Sequence, residues 1–178
     1  GTQTYNDALT LNADAILSSS SSGAIAFSTV DGAHALTINT SGATTFSGVV
    51  GGSTALASLV TDAAGTVTLN NNVTTSGVQT YNDAMTLGAD VSLTSGGLLN
   101  LAGTVNGVIT NSSTSAATTN VITLLNAAST TYNGLIADHA GGAGAKISLF
   151  VTGPGTLTLN PAINNTFSGG IVVSNSSV

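Results

Sequence analysis

The chain opens with GTQTYNDALTLNAD (residues 1–14), and residues 77–90 return this stretch as GVQTYNDAMTLGAD. Two such copies do not arise by chance in a chain of 178 residues, so the sequence indicates internal duplication. The offset between Gly1 and Gly77 predicts one repeat over residues 1–76, a second over 77–152 and a partial third over 153–178. We expect these repeats to form a single domain, because repeated units bury their apolar faces on one another.

Between the turns, apolar residues alternate with threonine. The alternation is clear in ALTIN (residues 35–39), TVTLN (66–70) and TLTLN (156–160). A period of two with β-branched residues predicts β-strands, and the asparagine that closes each segment predicts a turn. Helices are not expected, because the chain has no glutamate, a single basic residue and no apolar spacing of three or four.

A shorter signature lies inside the repeats: threonine, an aromatic residue, asparagine or serine, and then aspartate or glycine. Its aromatic positions are Tyr5, Phe46, Tyr81, Tyr132 and Phe167, which are five of the seven aromatic residues in the chain. We expect these five side chains to occupy related positions relative to their coils, about two coils of roughly 20 residues apart. The pattern favours an all-β fold, a β-solenoid of roughly eight or nine coils, over the alternative, a β-sandwich.

The charge of the chain and the length of its apolar runs exclude two classes of partner. Lys146 is the only basic side chain, and the formal net charge is −6, so nothing could neutralise a run of phosphates and nucleic acid is excluded. No apolar run approaches the roughly 20 residues of a membrane-spanning helix, so membrane insertion is not expected either. Charged residues make up only 4% of the chain, which leaves a surface of threonine, serine and asparagine.

The acidic residues repeat together with the duplicated segment. Asp7 and Asp14 return as Asp83 and Asp90, although a catalytic pair has no reason to be duplicated with its repeat. We therefore interpret these four as turn formers whose side chains accept hydrogen bonds from nearby backbone N–H groups. The alternative is weak calcium binding by aligned aspartates of successive coils.

The remaining inventory predicts no catalytic, cofactor-binding or metal-binding residue. His34 and His139 lie far apart in a chain without cysteine, show no zinc-ligand pattern and are expected in solvated loops. The glycine-rich stretch at residues 141–146 lacks the spacing of a phosphate loop. The sequence thus predicts a protein that is not an enzyme. The alternative function, a polysaccharide-active β-helix enzyme, would need a cleft with two or three close aspartates and a basic group.

Several of these segments resemble known bacterial repeats. GPGTLTL (residues 153–159), followed by NTFSGGIVV (165–173), resembles the autotransporter-associated β-strand repeat. Residues 3–14 and 43–61 resemble the repeats of very large filamentous-haemagglutinin-like surface proteins. The resemblance implies a right-handed parallel β-helix in a secreted protein, extracellular or displayed on the bacterial cell surface.

The expected function is structural and adhesive, as a segment of a large fibrous surface protein. An uncharged surface suits contact with neutral glycans or a host surface. Gly1 begins inside a repeat, and residues 170–178 read as an uncharged apolar strand. Because open strand edges are normally covered, we expect both ends to pair with further repeats, or with identical subunits end-to-end in a self-assembling fibre.

Overall fold

A computed structural model describes the greater part of the chain. The described residues are 1–89, 91–97, 99–101, 108–111, 119–126, 130–132, 135–138, 146–152, 156–160 and 164–174. Within these ranges all regular structure is β-strand. The chain winds through coils, and most coils place one strand on each of three sides of the molecule.

The strands follow one another coil by coil along the chain. The first two coils contain β1 (Gln3–Tyr5), β2 (Leu9–Thr10), β3 (Ala15–Ser19), β4 (Ile25–Phe27), β5 (Val30–Asp31) and β6 (Ala35–Thr40). The next two contain β7 (Ala43–Phe46), β8 (Ser58–Thr61), β9 (Thr66–Leu69), β10 (Val73–Thr75) and β11 (Gln79–Tyr81). Two more contain β12 (Ala84–Leu87), β13 (Val91–Ser95), β14 (Leu99–Asn100), β15 (Val108–Asn111), β16 (Thr119–Asn126) and β17 (Thr130–Tyr132). The last strands are β18 (Leu135–Ala137), β19 (Lys146–Thr152), β20 (Leu157–Leu159) and β21 (Ile171–Ser174).

Three sides, named A, B and C, collect strands from successive coils. Side A stacks β1, β4, β7, β9, β12, β15 and β18. Side B runs from β2 and β5 through a bridge at Val50 to β10, β13, β16, β19 and β21. Side C stacks β3, β6, β8, β11 and β14, and β14 contacts the pair β17 and β20.

Every strand pair within the described residues is parallel, from β1 with β4 to β19 with β21. The prediction of an all-β parallel β-solenoid is therefore confirmed, and the alternative of a β-sandwich is wrong. A sandwich pairs antiparallel strands within two facing sheets. In the part of this chain that the structure describes, each strand instead pairs with its counterpart in a neighbouring coil, and no β-hairpin joins consecutive strands.

The coils differ in length, although their strands remain in register. Along side A, Gln3 pairs with Ile25, Thr66 with Ala84 and Val108 with Leu135. Of these pairs, Thr66 and Ala84 are the closest in sequence, and Val108 and Leu135 are the farthest apart. The seven described strands of side A take six turns of the chain, and the bridge between Ala137 and Thr166 marks one more, so the described part has fewer turns than the expected eight or nine coils. The corners between strands take up the difference in length.

The core lies inside the coils, where alternate residues of each strand point inward. On β4 the inward residues are Ile25 and Phe27, and on β9 they are Val67 and Leu69, all of them buried. Side C contributes Leu36, Ile38 and Leu59 in the same way. Since each inward residue contacts its counterparts above and below, the coils share one continuous hydrophobic core.

The two copies of the duplicated segment have the same local structure. Tyr5 Oη donates to Gln3 Oε1 at 3.0 Å, and Tyr81 Oη donates to Gln79 Oε1 at 3.0 Å. Gln3 Nε2 donates to the carbonyl of Ser18, and Gln79 Nε2 donates to that of Thr94, the equivalent position of the second copy. In both copies a serine hydroxyl closes the segment by donating to the carbonyl of the first glycine. Each copy, over residues 1–19 and 77–95, is therefore one structural module.

Candidate functional site

The aspartates join neighbouring coils. Asp14 Oδ1 accepts from the N–H of Ala35 at 2.9 Å, and Asp62 Oδ1 accepts from the N–H of Thr40 at 3.0 Å. Asp31 Oδ1 accepts two N–H groups of the next coil. Asp138 Oδ1 accepts from the N–H of Ile147, nine residues on in the same coil, and Asp138 Oδ2 accepts from the N–H of Ser168 in the next coil.

Of the four aspartates that were expected to accept nearby backbone N–H groups, Asp14 and Asp83 accept from N–H groups about a full coil away in sequence, and Asp7 accepts none in the described structure. The prediction that these aspartates form local turns is therefore wrong for the three that are described. Asp90 lies outside the described residues.

Asp83 differs from its counterpart Asp7 in burial. Asp7 is exposed in the first coil, whereas Asp83 is 3% exposed at the corner between sides C and A. Its Oδ1 accepts from the N–H of Gly65 at 2.8 Å, but its Oδ2 has no hydrogen-bonding partner. Thr61 Oγ1 is also buried, with no partner at hydrogen-bonding geometry. Burial raises the pKa of the Asp83 carboxyl to about 6, and Asp62 adds to the rise, against the lowering effect of the nearby Gly65 N–H and Thr61 hydroxyl.

This corner is tightly packed around Gly65. A Cβ on Gly65 would lie 2.1 Å from the carbonyl oxygen of Gly42 and 2.7 Å from that of Thr40. Only glycine therefore allows the backbone of one coil to approach that of the previous coil this closely. The close approach places the Gly65 N–H where Asp83 Oδ1 can accept it.

Among the described residues, the structure shows one histidine–aspartate contact and no cluster that could bind a metal ion. His34 Nδ1 lies 3.5 Å from Asp14 Oδ1, and the side chain of Asp14 is largely open to solvent while that of His34 is partly so. An exposed pair of this kind contributes little to stability. No group of three histidine, cysteine, aspartate or glutamate residues comes together among the described residues. His139 and residues 141–145 lie outside them.

The thermal midpoint of unfolding should be nearly independent of salt. The chain has one basic side chain, and the aspartates act mainly on uncharged N–H groups, so screening removes little attraction. We expect a change below about 3 °C between low salt and about 1 M NaCl in circular dichroism melts. A drop of more than about 5 °C on adding EDTA at constant salt would instead show that the aspartates bind calcium.

The five signature aromatics do not form one column. Tyr5 and Phe46 lie on side A, and Phe167 follows Thr166, which bridges Ala137 of the same side. Tyr81 lies on side C in β11, and Tyr132 is in β17, which packs next to β14. The four whose side chains are described face the core, fully buried for Phe46 and Tyr81 and partly buried for Tyr5 and Phe167. The described side chains all point toward the core, but they lie on different sides of the solenoid.

The structure adds Phe27, which the sequence signature misses, to the aromatic residues of side A. Phe27 stacks on Tyr5 with ring centroids 5.3 Å apart and on Phe46 at 5.0 Å. The segment AFST around Phe27 lacks the threonine before the ring and the aspartate or glycine after it. The spacing in sequence could have identified Phe27, because Phe27 lies one coil after Tyr5 and one coil before Phe46.

A groove of about 370 Å³ opens beside this aromatic stack. It is lined by Thr4, Tyr5, Asn6, Ala26, Phe27, Ser28 and Ser47. Apart from that of Tyr5, the polar side chains at its rim make no hydrogen bond within the described structure, and none of the lining residues carries a charge. Phe27 is 2% exposed and lies between two rings, so Tyr5 is the ring that a ligand can reach. One partly buried ring beside uncharged hydroxyl and amide groups suits a ligand with both apolar faces and hydroxyl groups.

Next to the groove, the outward positions of side A form a threonine column. Thr45 pairs with Thr68, and Thr68 pairs with Thr86, in strict register. The threonines are aligned although the coils differ in length, because the corners absorb the differences. The column is incomplete, because Ala26 and Ala137 occupy two of its positions.

The fold and this surface define a parallel β-solenoid with an uncharged groove at one end. Comparison with protein-family models, with curated proteins and with solved structures finds no match to this chain. The described residues contain no helix that is long and apolar enough to cross a membrane.

Proposed function

We propose that the chain is a non-enzymatic structural and adhesive segment of a large, secreted or surface-displayed bacterial fibrous protein. The resemblance to repeats of such proteins, at residues 3–14, 43–61, 153–159 and 165–173, supports this assignment. A continuous core and coil-to-coil hydrogen bonding through aspartates suit a stiff spacer. In this proposal the segment works outside the cell, and further repeats or identical subunits join it end-to-end.

The observation that carries the adhesive part is the groove beside Tyr5 and Phe27. Neutral glycans present hydroxyl groups and apolar ring faces, which match amide and hydroxyl side chains next to an aromatic ring. The absence of charge among the lining residues favours an uncharged sugar over an acidic one, because an acidic sugar is usually held by a guanidinium. The proposed ligand is therefore a neutral pyranose of a surface glycan.

Removing the polar groups of the groove should weaken sugar binding. We expect the double variant Asn6→Ala/Ser47→Ala to lose about tenfold in affinity, since two hydrogen bonds contribute about 1.4 kcal/mol together. Saturation-transfer NMR with neutral oligosaccharides of glucose, galactose and N-acetylglucosamine measures the binding. Thr80→Ala, on side C, is the control and should bind like the unmodified protein. Equal binding by all three proteins, or binding by none, would contradict the adhesive proposal.

A further inference from the structure

The third and fourth coils meet at the corner between sides C and A, where residues 62–65 lead from β8 to β9. Asn82 and Asp83 form the next turn of this corner, between β11 and β12. Asn82 Nδ2 donates to the carbonyl of Thr61 at 2.8 Å, and the Gly65 N–H donates to Asp83 Oδ1 at 2.8 Å. No backbone hydrogen bond joins residues 62–65 to Asn82 or Asp83 in the described structure. Two side chains therefore hold the corner closed.

The same corner is attached to the preceding coil mainly by its backbone. The N–H of Asp62 donates to the carbonyl of Ile38 at 3.1 Å, and the N–H of Thr66 donates to that of Gly42 at 3.3 Å. A carboxylate also takes part, since Asp62 Oδ1 accepts the Thr40 N–H at 3.0 Å, but Asp62 is partly exposed to water. The buried carboxyl group belongs to the attachment to the following coil.

That buried carboxyl, on Asp83, is poorly provided with partners for a charge. The residue is 3% exposed, and its Oδ2 has no hydrogen-bonding partner. Close to it, Thr61 Oγ1 is buried and likewise without a partner. A neutral carboxyl fits such a place, whereas a buried carboxylate with a single N–H donor is costly, because most of its charge has neither water nor a partner.

The elements packed against Asp83 bring no positive charge. Residues 35–137 contain no lysine, arginine or histidine, and β8, β9 and β12 carry no titratable side chain. The following coil adds none, because residues 91–131 contain no titratable group. On β11, Tyr81 donates to Gln79, and burial raises the pKa of Tyr81 well above its ordinary value, so its hydroxyl stays neutral. The preceding coil contributes Asp62, a like charge, so an ionised Asp83 has no opposite charge to pair with.

Packing sets the direction in which this corner can open. A Cβ on Gly65 would lie 2.1 Å from the carbonyl oxygen of Gly42, so no space is left toward the preceding coil. Ala63 and Ala64 are exposed, so residues 62–65 can move outward, toward solvent. The strand pairs on either side, β8 with β11 and β9 with β12, do not use the Asp83 carboxyl and keep the two coils together.

We infer that this corner is a pH-sensitive opening point within the solenoid, at which ionisation of Asp83 shifts residues 62–65 toward an open state. In the open state the carboxylate of Asp83 faces water, Gly65 has lost its acceptor and the Thr61 hydroxyl is hydrated. At acid pH the neutral carboxyl keeps the corner closed. A spacer with this corner bends more easily in a neutral medium than in an acidic one. Only that consequence rests on the proposed spacer role, and the opening itself is independent of it.

The size of the effect follows from the protonation of Asp83 in the two states. In the closed corner its pKa is about 6, and in the open corner it takes the ordinary value of 3.8. The closed state is therefore favoured most below about pH 3.8 and loses this advantage as the pH rises through about 6. Between pH 5 and pH 8 the ratio of open to closed corner should increase about tenfold.

Hydrogen exchange of single amides, followed by NMR on the full chain, measures this opening. We expect the protection factor of the Gly65 amide to fall about tenfold from pH 5 to pH 8. The Ser92 amide is the internal control, because it donates at 2.8 Å to Asn72 Oδ1, a side-chain oxygen of the preceding coil that carries no charge. Protection factors already correct for the base catalysis of exchange, so the value for Ser92 should stay constant.

Two variants separate Asp83 from its neighbour Asp62. Asp83→Asn keeps an oxygen that accepts the Gly65 N–H and carries no charge, so the protection of Gly65 should no longer depend on pH. Asp62→Asn keeps the ionisable Asp83, so the fall should remain. A constant protection factor of Gly65 in the unmodified protein, an equal fall at Ser92, or an unchanged fall in Asp83→Asn would overturn the inference.

Discussion

Replacing Phe27 by alanine is expected to lower the free energy of unfolding by about 3–5 kcal/mol. Phe27 is 2% exposed and lies between the rings of Tyr5 and Phe46, with interplanar angles of 6° and 10°. The substitution removes two ring contacts and leaves a cavity that neighbouring backbones in register cannot close. No other side chain of the first three coils bridges two aromatic rings in the described structure.

Urea denaturation followed by circular dichroism measures this loss, with Thr45→Ala as the control. Thr45 lies on the outward face of side A, so its truncation should cost less than about 0.5 kcal/mol. Because a solenoid can unfold from one end, hydrogen exchange should also show faster exchange of the amides of β1 than in the unmodified protein. A loss below about 1 kcal/mol, with protection of β1 unchanged, would mean that the stack contributes little.

Replacing Asp83 by asparagine should stabilise the protein at pH 8 by about 2–3 kcal/mol and have little effect at pH 4. The folded protein holds the pKa of this carboxyl at about 6, above its ordinary value of 3.8. Asparagine resembles the protonated acid: its oxygen accepts the Gly65 N–H, and its amide can donate to the unpartnered Thr61 hydroxyl. The variant therefore removes a buried charge without removing the hydrogen bond.

The sign of the pH effect follows from proton binding. A group whose pKa is raised on folding contributes stability that is fully present below about pH 3.8 and is lost as the pH rises through about 6. The difference in unfolding free energy between the variant and the unmodified protein should thus grow from pH 4 to pH 8. Asp62→Asn is the control, because Asp62 lies beside Asp83 but stays partly exposed. A difference that does not change with pH would show that Asp83 does not titrate in this range.

The alternation of threonine and apolar residues predicted the strands, and the internal repeats predicted that these strands stack in coils. TVTL at residues 66–69 shows why, since its two outward threonines and two buried apolar residues can serve the same role in every coil. Coil length could not be predicted, because corners are free to differ while the strands remain in register. The segment from Val108 to Leu135 is half as long again as that from Thr66 to Ala84, yet each spans a single turn.

The positions of individual site residues were harder to predict. Tyr5 and Tyr81 have the same neighbours in sequence, and local sequence does not distinguish side A from side C. Asp7 and Asp83 differ for the same reason: the second copy has a coil on each side, and the first has one on one side only. Burial, and with it the raised pKa of Asp83, depends on the stacking neighbours and not on the repeat itself.

The module that starts on side A in one copy and on side C in the other has a consequence for how such chains grow by gene duplication. An insertion need not add whole turns, because any addition that ends after a complete strand leaves the next strand a usable side. A surface feature copied with the module is then displayed in a new direction around the long axis. Successive duplications would turn the outward side chains of the module, such as Thr4 and Thr80, to different sides of the rod, while the stacked neighbours would decide what each copy exposes.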